Sequence, residues 1–319
     1  MTSTGKSDEP IIIGDGSAGR ELYSYIYDHF GVAAFTEDET SDYSLITDLQ
    51  GWEWVRGFMQ RLLSMDDLEG ALRMSDARDQ ERLSRECGCG RDDEDALPPV
   101  LSPPRICWTW LQAAYERLGD REGLCRLHAY RILTSEVGPE TTTFEQARRV
   151  GAHHIVKLRK LAGDDWHSTV ELIVDLQQRY HSDPMFHGRN PAYEVLLRQE
   201  NLTDAAWEYC KTRCFDLRDD EVIMDLFDVM TRGHAEEACE LLLEPLHDAD
   251  SKVLRNDTEE NIERIRAMLR LVATFVGPSR MRVEAVRLRN MYRYRRSLRD
   301  ALKRLLSEYD DDGAAETSS

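Results

Sequence analysis

The sharpest chemical pattern in this sequence is the run Ile11-Ile12-Ile13-Gly14-Asp15-Gly16-Ser17-Ala18-Gly19. Gly14, Gly16 and Gly19 fit G-x-G-x-x-G directly behind a short apolar stretch. A helical pattern follows over 21–30, with Leu22, Tyr25 and Ile26 on one side. Such glycines let a pyrophosphate approach the backbone closely, and the helix N-terminus behind them supplies N–H groups and positive potential. Residues 32–35 read as a second strand, and Glu37 or Asp38 lies near the separation at which an acid meets a ribose hydroxyl. A nucleotide site needs a parallel sheet of several strands, however, and beyond Phe35 the pattern turns polar and then helical. A lone βαβ unit cannot bury its faces. The glycines therefore read first as a turn ahead of the first helix. In the alternative reading, Gly14, Gly16 and Gly19 contact a nucleotide.

Cysteine and histidine are the other reactive types. Cys87-Gly-Cys89 opens a stretch rich in glycine, acid and paired proline; Cys107, or Cys125 with His128, would have to complete a ligand set. Structural zinc sites space their cysteines by two or more residues, so no metal is assigned. His153 and His154 are adjacent and point to different sides of a helix, which prevents joint chelation. One is expected to be buried and hydrogen-bonded, the other solvated. Cys125 and His128 share a helix face at i, i+3, a spacing read as packing before chemistry. G-x-S-x-G, H-E-x-x-H and a Walker lysine are all absent from the sequence. No catalytic residue and no cofactor is assigned.

One charge feature stands against the rest of the chain. Arg280, Arg282, Arg287, Arg289, Arg293, Arg295, Arg296, Arg299, Lys303 and Arg304 gather near the end, opposed over that stretch by Glu284 and Asp300. Leu288, Met291, Leu298, Leu302 and Leu305 form the buried side of what reads as one helix over 278–306. Such a helix neutralises neighbouring acidic helices or the Asp310–Asp312 run, holds an acidic protein partner, or holds phosphates. Internal neutralisation is the first expectation. Arg287, Arg293, Arg295, Arg296 and Arg299 are the candidates for contact with a partner.

The elements that position these residues are helices. Asn190-Pro191 is a cap followed by the residue suited to the first helical position. Tyr193, Leu196 and Leu197 follow at helical spacing, then Ala206, Tyr209 and Cys210 on a second helix. Val222, Ile223, Leu226, Phe227 and Met230 make a wide stripe on a third. Further helices are expected over 235–246 and 258–276, the latter with Ile262, Ile265, Met268, Leu269, Val272 and Phe275 inside, ended by Gly277-Pro278. Earlier in the chain, helices are expected over 44–65, 66–83, 106–118, 123–134, 144–162 and 166–180. Short connections favour antiparallel neighbours, and consecutive hairpins stack into a solenoid or bundle. The predicted fold class is all-α: antiparallel helical hairpins stacked as a tetratricopeptide-like solenoid or irregular bundle, behind a short irregular N-terminal segment. Residues 1–9 read as a disordered tail, 10–86 as a mostly helical segment, and 87–105 as a linker. A helical-repeat domain is expected over 106–306, and an acidic disordered tail over 307–319.

Two resemblances follow from these residues. Tyr193-Glu-Val-Leu-Leu, Leu202-Thr-Asp-Ala-Ala-Trp207-Glu, His234-Ala-Glu-Glu-Ala-Cys-Glu-Leu-Leu-Leu243 and Leu288-Arg-Asn-Met-Tyr292-Arg-Tyr-Arg-Arg296 resemble the helical C-terminal region of prokaryotic SWIM zinc-finger proteins. The resemblance implies tetratricopeptide-like helices. The finger of that family has Cys-x-Cys, a spacer and Cys-x-His; here Cys125 meets His128 at a different spacing, so the finger itself is lacking. Residues 11–21 are similar to the start of sugar O-acyltransferases of the sialic-acid and bacillosamine type, which implies a small nucleotide-binding βαβ unit.

Composition narrows the function classes. The chain has 319 residues, 41% of them hydrophobic, and a formal charge of -19. Lysine and arginine number 41, of which only six are lysine. Acid excess with few lysines keeps a protein soluble in concentrated salt, so a salt-adapted, halophilic source is one expectation, and an arginine bias from a GC-rich genome is the alternative. The acidic field repels nucleic acid and anionic membranes. No apolar run reaches the ~20 residues that cross a bilayer, residues 1–10 lack an apolar signal core, and the scattered cysteines form no disulfide framework. The expectation is a cytoplasmic, non-catalytic protein-protein interaction protein, a scaffold or adaptor. A nucleotide-binding protein or enzyme is the second reading. The third is a nucleic-acid accessory factor using the basic final helix.

Overall fold

The helical periodicity of the apolar residues carries through to three dimensions: the described residues are helical, with turns between and no strand among them. The computed structural model describes Ile46 and residues 48–75, 105–134, 144–180, 189–212, 220–247, 251–255 and 258–315. The glycine run 14–19 and the Cys87/Cys89 pair lie outside these residues. The chain divides into two compact units. One comprises residues up to His181 together with Asn190–Tyr193; the other comprises Ser182–Arg189 and Glu194–Ser319. The 87–105 stretch, read from the sequence as a linker, lies largely outside the described residues.

In the first unit, α1 (Leu49–Leu63) starts where the Asp48 carboxylate accepts from the Gly51 N–H at 2.7 Å. It ends at Ser64, held in the left-handed region with φ 56°. Asp67 opens α2 (68–75), accepting from the Gly70 N–H at 2.5 Å. Both are aspartate caps that satisfy N–H groups the helix itself leaves unpaired. α3 (Arg105–Leu118) turns into α4 (Arg121–Thr134) through Gly119, whose φ of 66° suits glycine, and Asp120, which accepts from the Gly123 N–H at 2.8 Å. α5 (Phe144–Ala162) leads through a short 3-10 turn into α6 (Trp166–Tyr180). Helix α1 packs on α3, α3 on α4, and α4 on both α5 and α6. Trp108, Leu111, Tyr115, Leu127, Ile132 and Leu133 fill the core they share. Trp52 is buried, whereas Trp54 is half-buried and stacks on Phe58 with ring centroids 5.3 Å apart.

Two glycines set close approaches here. A Cβ on Gly123 would lie 2.3 Å from Cε1 of Tyr115, and one on Gly151 would lie 2.5 Å from the Cα of Ala192. Asn190, the predicted cap, is buried. Its Oδ1 accepts from the Tyr193 N–H at 2.9 Å, while its Nδ2 donates to the Leu133 carbonyl at 2.7 Å and to Gln177 Oε1 at 3.0 Å. One side chain thus caps a helix and ties it to two others.

α7 (Pro191–Gln199) begins in the first unit and continues into the second. There follow α8 (Thr203–Lys211), α9 (Asp220–Met230), α10 (Ala235–His247), α11 (Lys252–Arg255), α12 (Glu259–Phe275), α13 (Pro278–Met291) and α14 (Arg296–Ala315). Asn201 closes α7 at φ 52°, and Thr258 caps α12 by accepting from the Asn261 N–H at 3.2 Å. Helix α12 packs against α9, α10, α11, α13 and α14, so it is the hub of this unit. Its Ile265, Met268, Leu269 and Val272 are buried, but Phe275, expected inside, is 43% exposed and rests edge-on against Phe227 at 6.2 Å. It occupies the last position of the helix, where the stripe runs out of partners.

The helix expected over 278–306 is two helices, broken at 292–295. The apolar stripe explains the break. Met281, Ala285 and Leu288 keep helical phase, but Leu298, Leu302 and Leu305 are about one residue out of register with them. In a continuous helix, Arg295 and Arg299 would occupy the inward positions. The turn resets the phase, and both stripes face the core. Past Leu306 the helix runs on to Ala315. Glu308 meets Arg266 at 3.4 Å and Arg270 at 3.3 Å, and Arg282 donates to the Tyr309 carbonyl at 2.6 Å, which ties that extension down.

Candidate functional site

The arginines of α13 and α14 divide into two groups. The first group is engaged within the unit, by helix-end carbonyls or by carboxylates. Arg287 donates to the Leu246 carbonyl at 2.9 Å and pairs with buried Glu284, which also meets His247 at 3.3 Å. Arg295 donates to the Leu254 carbonyl and lies over the Tyr292 ring at 4.8 Å. Arg280 pairs with Glu240. The same device appears in the first unit, where Arg121 donates to the Leu161 carbonyl at 2.5 Å and to that of Ala162 at 3.0 Å, at the end of α5. The last carbonyls of a helix lack intrahelical donors, and a positive charge there suits the helix dipole. A planar guanidinium reaches two carbonyls at once, which an ammonium does less well. This use gives the arginine-over-lysine bias a structural role.

The second group points to solvent. The turn 292–295 presents Tyr294 at 82% exposure, with the Arg293 guanidinium over its ring at 4.7 Å. Met291 beside it is exposed as well. On the outward face of α14, Arg296, Lys303 and Arg304 are exposed, and among the described residues none of them forms an ion pair. Arg299 is half-buried and meets Asp300 at 3.5 Å. Of the sequence candidates, then, Arg293 and Arg296 face outward, Arg299 is shared, and Arg287 and Arg295 are engaged within the unit.

Two buried polar clusters were not foreseen. In the first unit, His128 and His154 meet Nδ1 to Nδ1 at 3.0 Å, with ring centroids 5.1 Å apart. One ring donates and the other accepts, so the two hold opposite tautomers. Burial lowers both, His128 to about 4 and His154 to about 3, and Arg131 and His153 add to the shift. Both rings are therefore neutral at pH 7. His153 is exposed, as the sequence expectation for one member of that pair required. His128 engages His154, a partner 26 positions away. Cys125 is half-buried and its thiol is raised by burial, the opposite of nucleophile activation.

In the second unit, buried Arg189 forms a fork with Glu194, at 3.1 Å from Nε and 2.8 Å from Nη2. Its Nη1 reaches Glu221 at 3.2 Å, and Nη2 also reaches Asp225 at 2.9 Å. Tyr209 donates to Glu194 at 3.3 Å. Burial alone would lower the guanidinium, but Glu194 and Asp225 hold it above its ordinary range. This arrangement locks α7, α8 and α9 together.

Among the described residues, no group of three or more His, Cys, Asp or Glu is placed to hold a metal, and no helix is long and apolar enough to cross a membrane. Comparison with protein-family models, with curated proteins and with solved structures finds no match.

Proposed function

We propose that this chain is a non-catalytic protein-protein interaction protein, a scaffold or adaptor built on stacked helices, related to the helical region of SWIM zinc-finger proteins and working in the cytoplasm. One observation carries the reading: Tyr294, at 82% exposure, sits beneath Arg293, and Met291 and Arg296, three residues before and two after it in the chain, are exposed too. A large aromatic left in water, with arginine over it, matches the residue types that dominate interface energetics. The buried polar clusters point the same way, because their partners hold them in place rather than activating them. Among the described residues Cys107, Cys125 and Cys239 form no disulfide, which suits a reducing compartment.

The test is affinity capture from lysate of the native host, comparing wild type with an Arg293→Ala/Tyr294→Ala/Arg296→Ala variant. Wild type is expected to retain a defined set of proteins that the variant loses. Equal retention by both, or no retention above a blank resin, would overturn the reading.

A further inference from the structure

We infer that the outward face of α14, with the Arg293–Tyr294 turn ahead of it, takes an acidic helical segment of a partner protein; this rests on the interaction reading above and names the chemistry of the partner. Charge complementarity supplies the argument. The chain as a whole carries -19, yet Arg296, Lys303 and Arg304 stand exposed without an ion pair among the described residues. Arg280 and Arg287 of the preceding helix are drawn to Glu240 and Glu284, and Arg295 of the turn to the Leu254 carbonyl, whereas these three face outward.

Their spacing defines the ligand. Arg296 and Lys303 are two turns apart on one helix face, about 10 Å along the axis. Carboxylates two turns apart on a partner helix match that separation. Arg304 lies beside Lys303 and widens the basic end. Tyr294, in the turn two residues before Arg296, offers an aromatic anchor to an apolar side chain of the partner. Desolvation around such an anchor strengthens the adjoining charge pairs.

A nucleic acid fits less well. Asp300 is exposed in the middle of the face, between Arg296 and Lys303, and pairs among the described residues with Arg299. A continuous line of phosphates would meet that carboxylate, whereas a partner helix can place a neutral or basic side chain opposite it. The acidic remainder of the chain repels a polyanion of any length.

The test uses the full chain and three labelled probes in low salt. One is an alanine-based helical peptide bearing leucine in its first turn and glutamates at i, i+3 and i+7. The second is the same peptide with glutamine for glutamate, and the third is a DNA duplex. Binding of the glutamate peptide is expected, weakened about tenfold by Arg296→Glu/Lys303→Glu and by Tyr294→Ala, and abolished by added salt. Arg296→Gln/Lys303→Gln should show an intermediate loss, and circular dichroism confirms that each variant folds. Equal binding of the glutamate and glutamine peptides overturns the inference. So does equal affinity in the charge-reversed variant, or duplex binding that depends on the same residues. If host proteins remain captured through Tyr294 while the glutamate peptide fails to bind, the partner chemistry is wrong and the interaction reading stands.

Discussion

Acid should unfold the first unit through the His128–His154 pair. Both rings are neutral when folded, lowered by burial to about 4 and about 3, against about 6.5 in an unfolded chain. The folded state therefore binds fewer protons than the unfolded one below pH 6.5. The stabilisation is complete above pH 6.5 and is lost as pH falls through 6.5 toward 4. The charged groups that bear on the pair, Arg131, His153 and Lys157, are basic, so none of them offsets a charge placed there. Each pH unit below 6.5 costs about 1.4 kcal/mol per ring, which makes roughly 2 kcal/mol per ring by pH 5. That is a large share of the 5–15 kcal/mol typical of a folded domain. The perturbation is His154→Asn, which keeps a hydrogen-bonding group near the Nδ1 position but does not titrate. Urea unfolding at pH 7.5 and pH 5 is the assay, read on near-ultraviolet signals from the first unit's tryptophans. The variant starts weaker because a ring is missing, yet its loss between the two pH values should be smaller than the wild-type loss by about 2 kcal/mol. Identical losses in both proteins would refute the reasoning, as would an imidazole proton resonance of His128 that titrates above pH 6.

Other outcomes follow from the same structure. Gly123→Ala should destabilise by about 2 kcal/mol in urea, because its Cβ would sit 2.3 Å from the Tyr115 ring; in an unobstructed helix the same change stabilises by up to ~1 kcal/mol, so the sign decides. Arg189→Met leaves Glu194, 3% exposed, without its fork, and should cost about 3–5 kcal/mol; Arg189→Met/Glu194→Leu should recover part of that loss, and strict additivity would contradict the pairing. Burial pushes the Cys107 thiol to about 12, so peptide-resolved labelling of native protein at pH 8 should modify half-buried Cys125 before Cys107, and comparable rates at these two would contradict the burial.

The helices were legible because apolar residues recur with helical period, and their ends were legible where caps are local. Asp67, Asn190 and Gly277-Pro278 all stand where the sequence placed a boundary. The break at 292–295 was harder to read: the signal is a phase slip of one residue between Leu288 and Leu298, masked by the overall density of arginine. The His128–His154 contact spans 26 positions and the Arg189–Asp225 contact 36, and no local pattern encodes either. Arginine roles were ambiguous for a related reason. Arg287 and Arg296 look alike in sequence, and only the approach of α10 to Arg287 separates a helix-end donor from an outward charge.

The central claim is that this chain binds another protein through the Tyr294 turn. A photo-crosslinking amino acid placed at position 294 tests it in the host cell, with the same residue at position 156 as control. Val156 is 63% exposed in the first unit and Tyr294 is 82% exposed in the second, so both are accessible to solvent. A discrete adduct of defined mass at 294, absent at 156 and lost with Arg296→Glu/Lys303→Glu, is the predicted result. No adduct at 294, or the same adducts at both positions, would contradict the account.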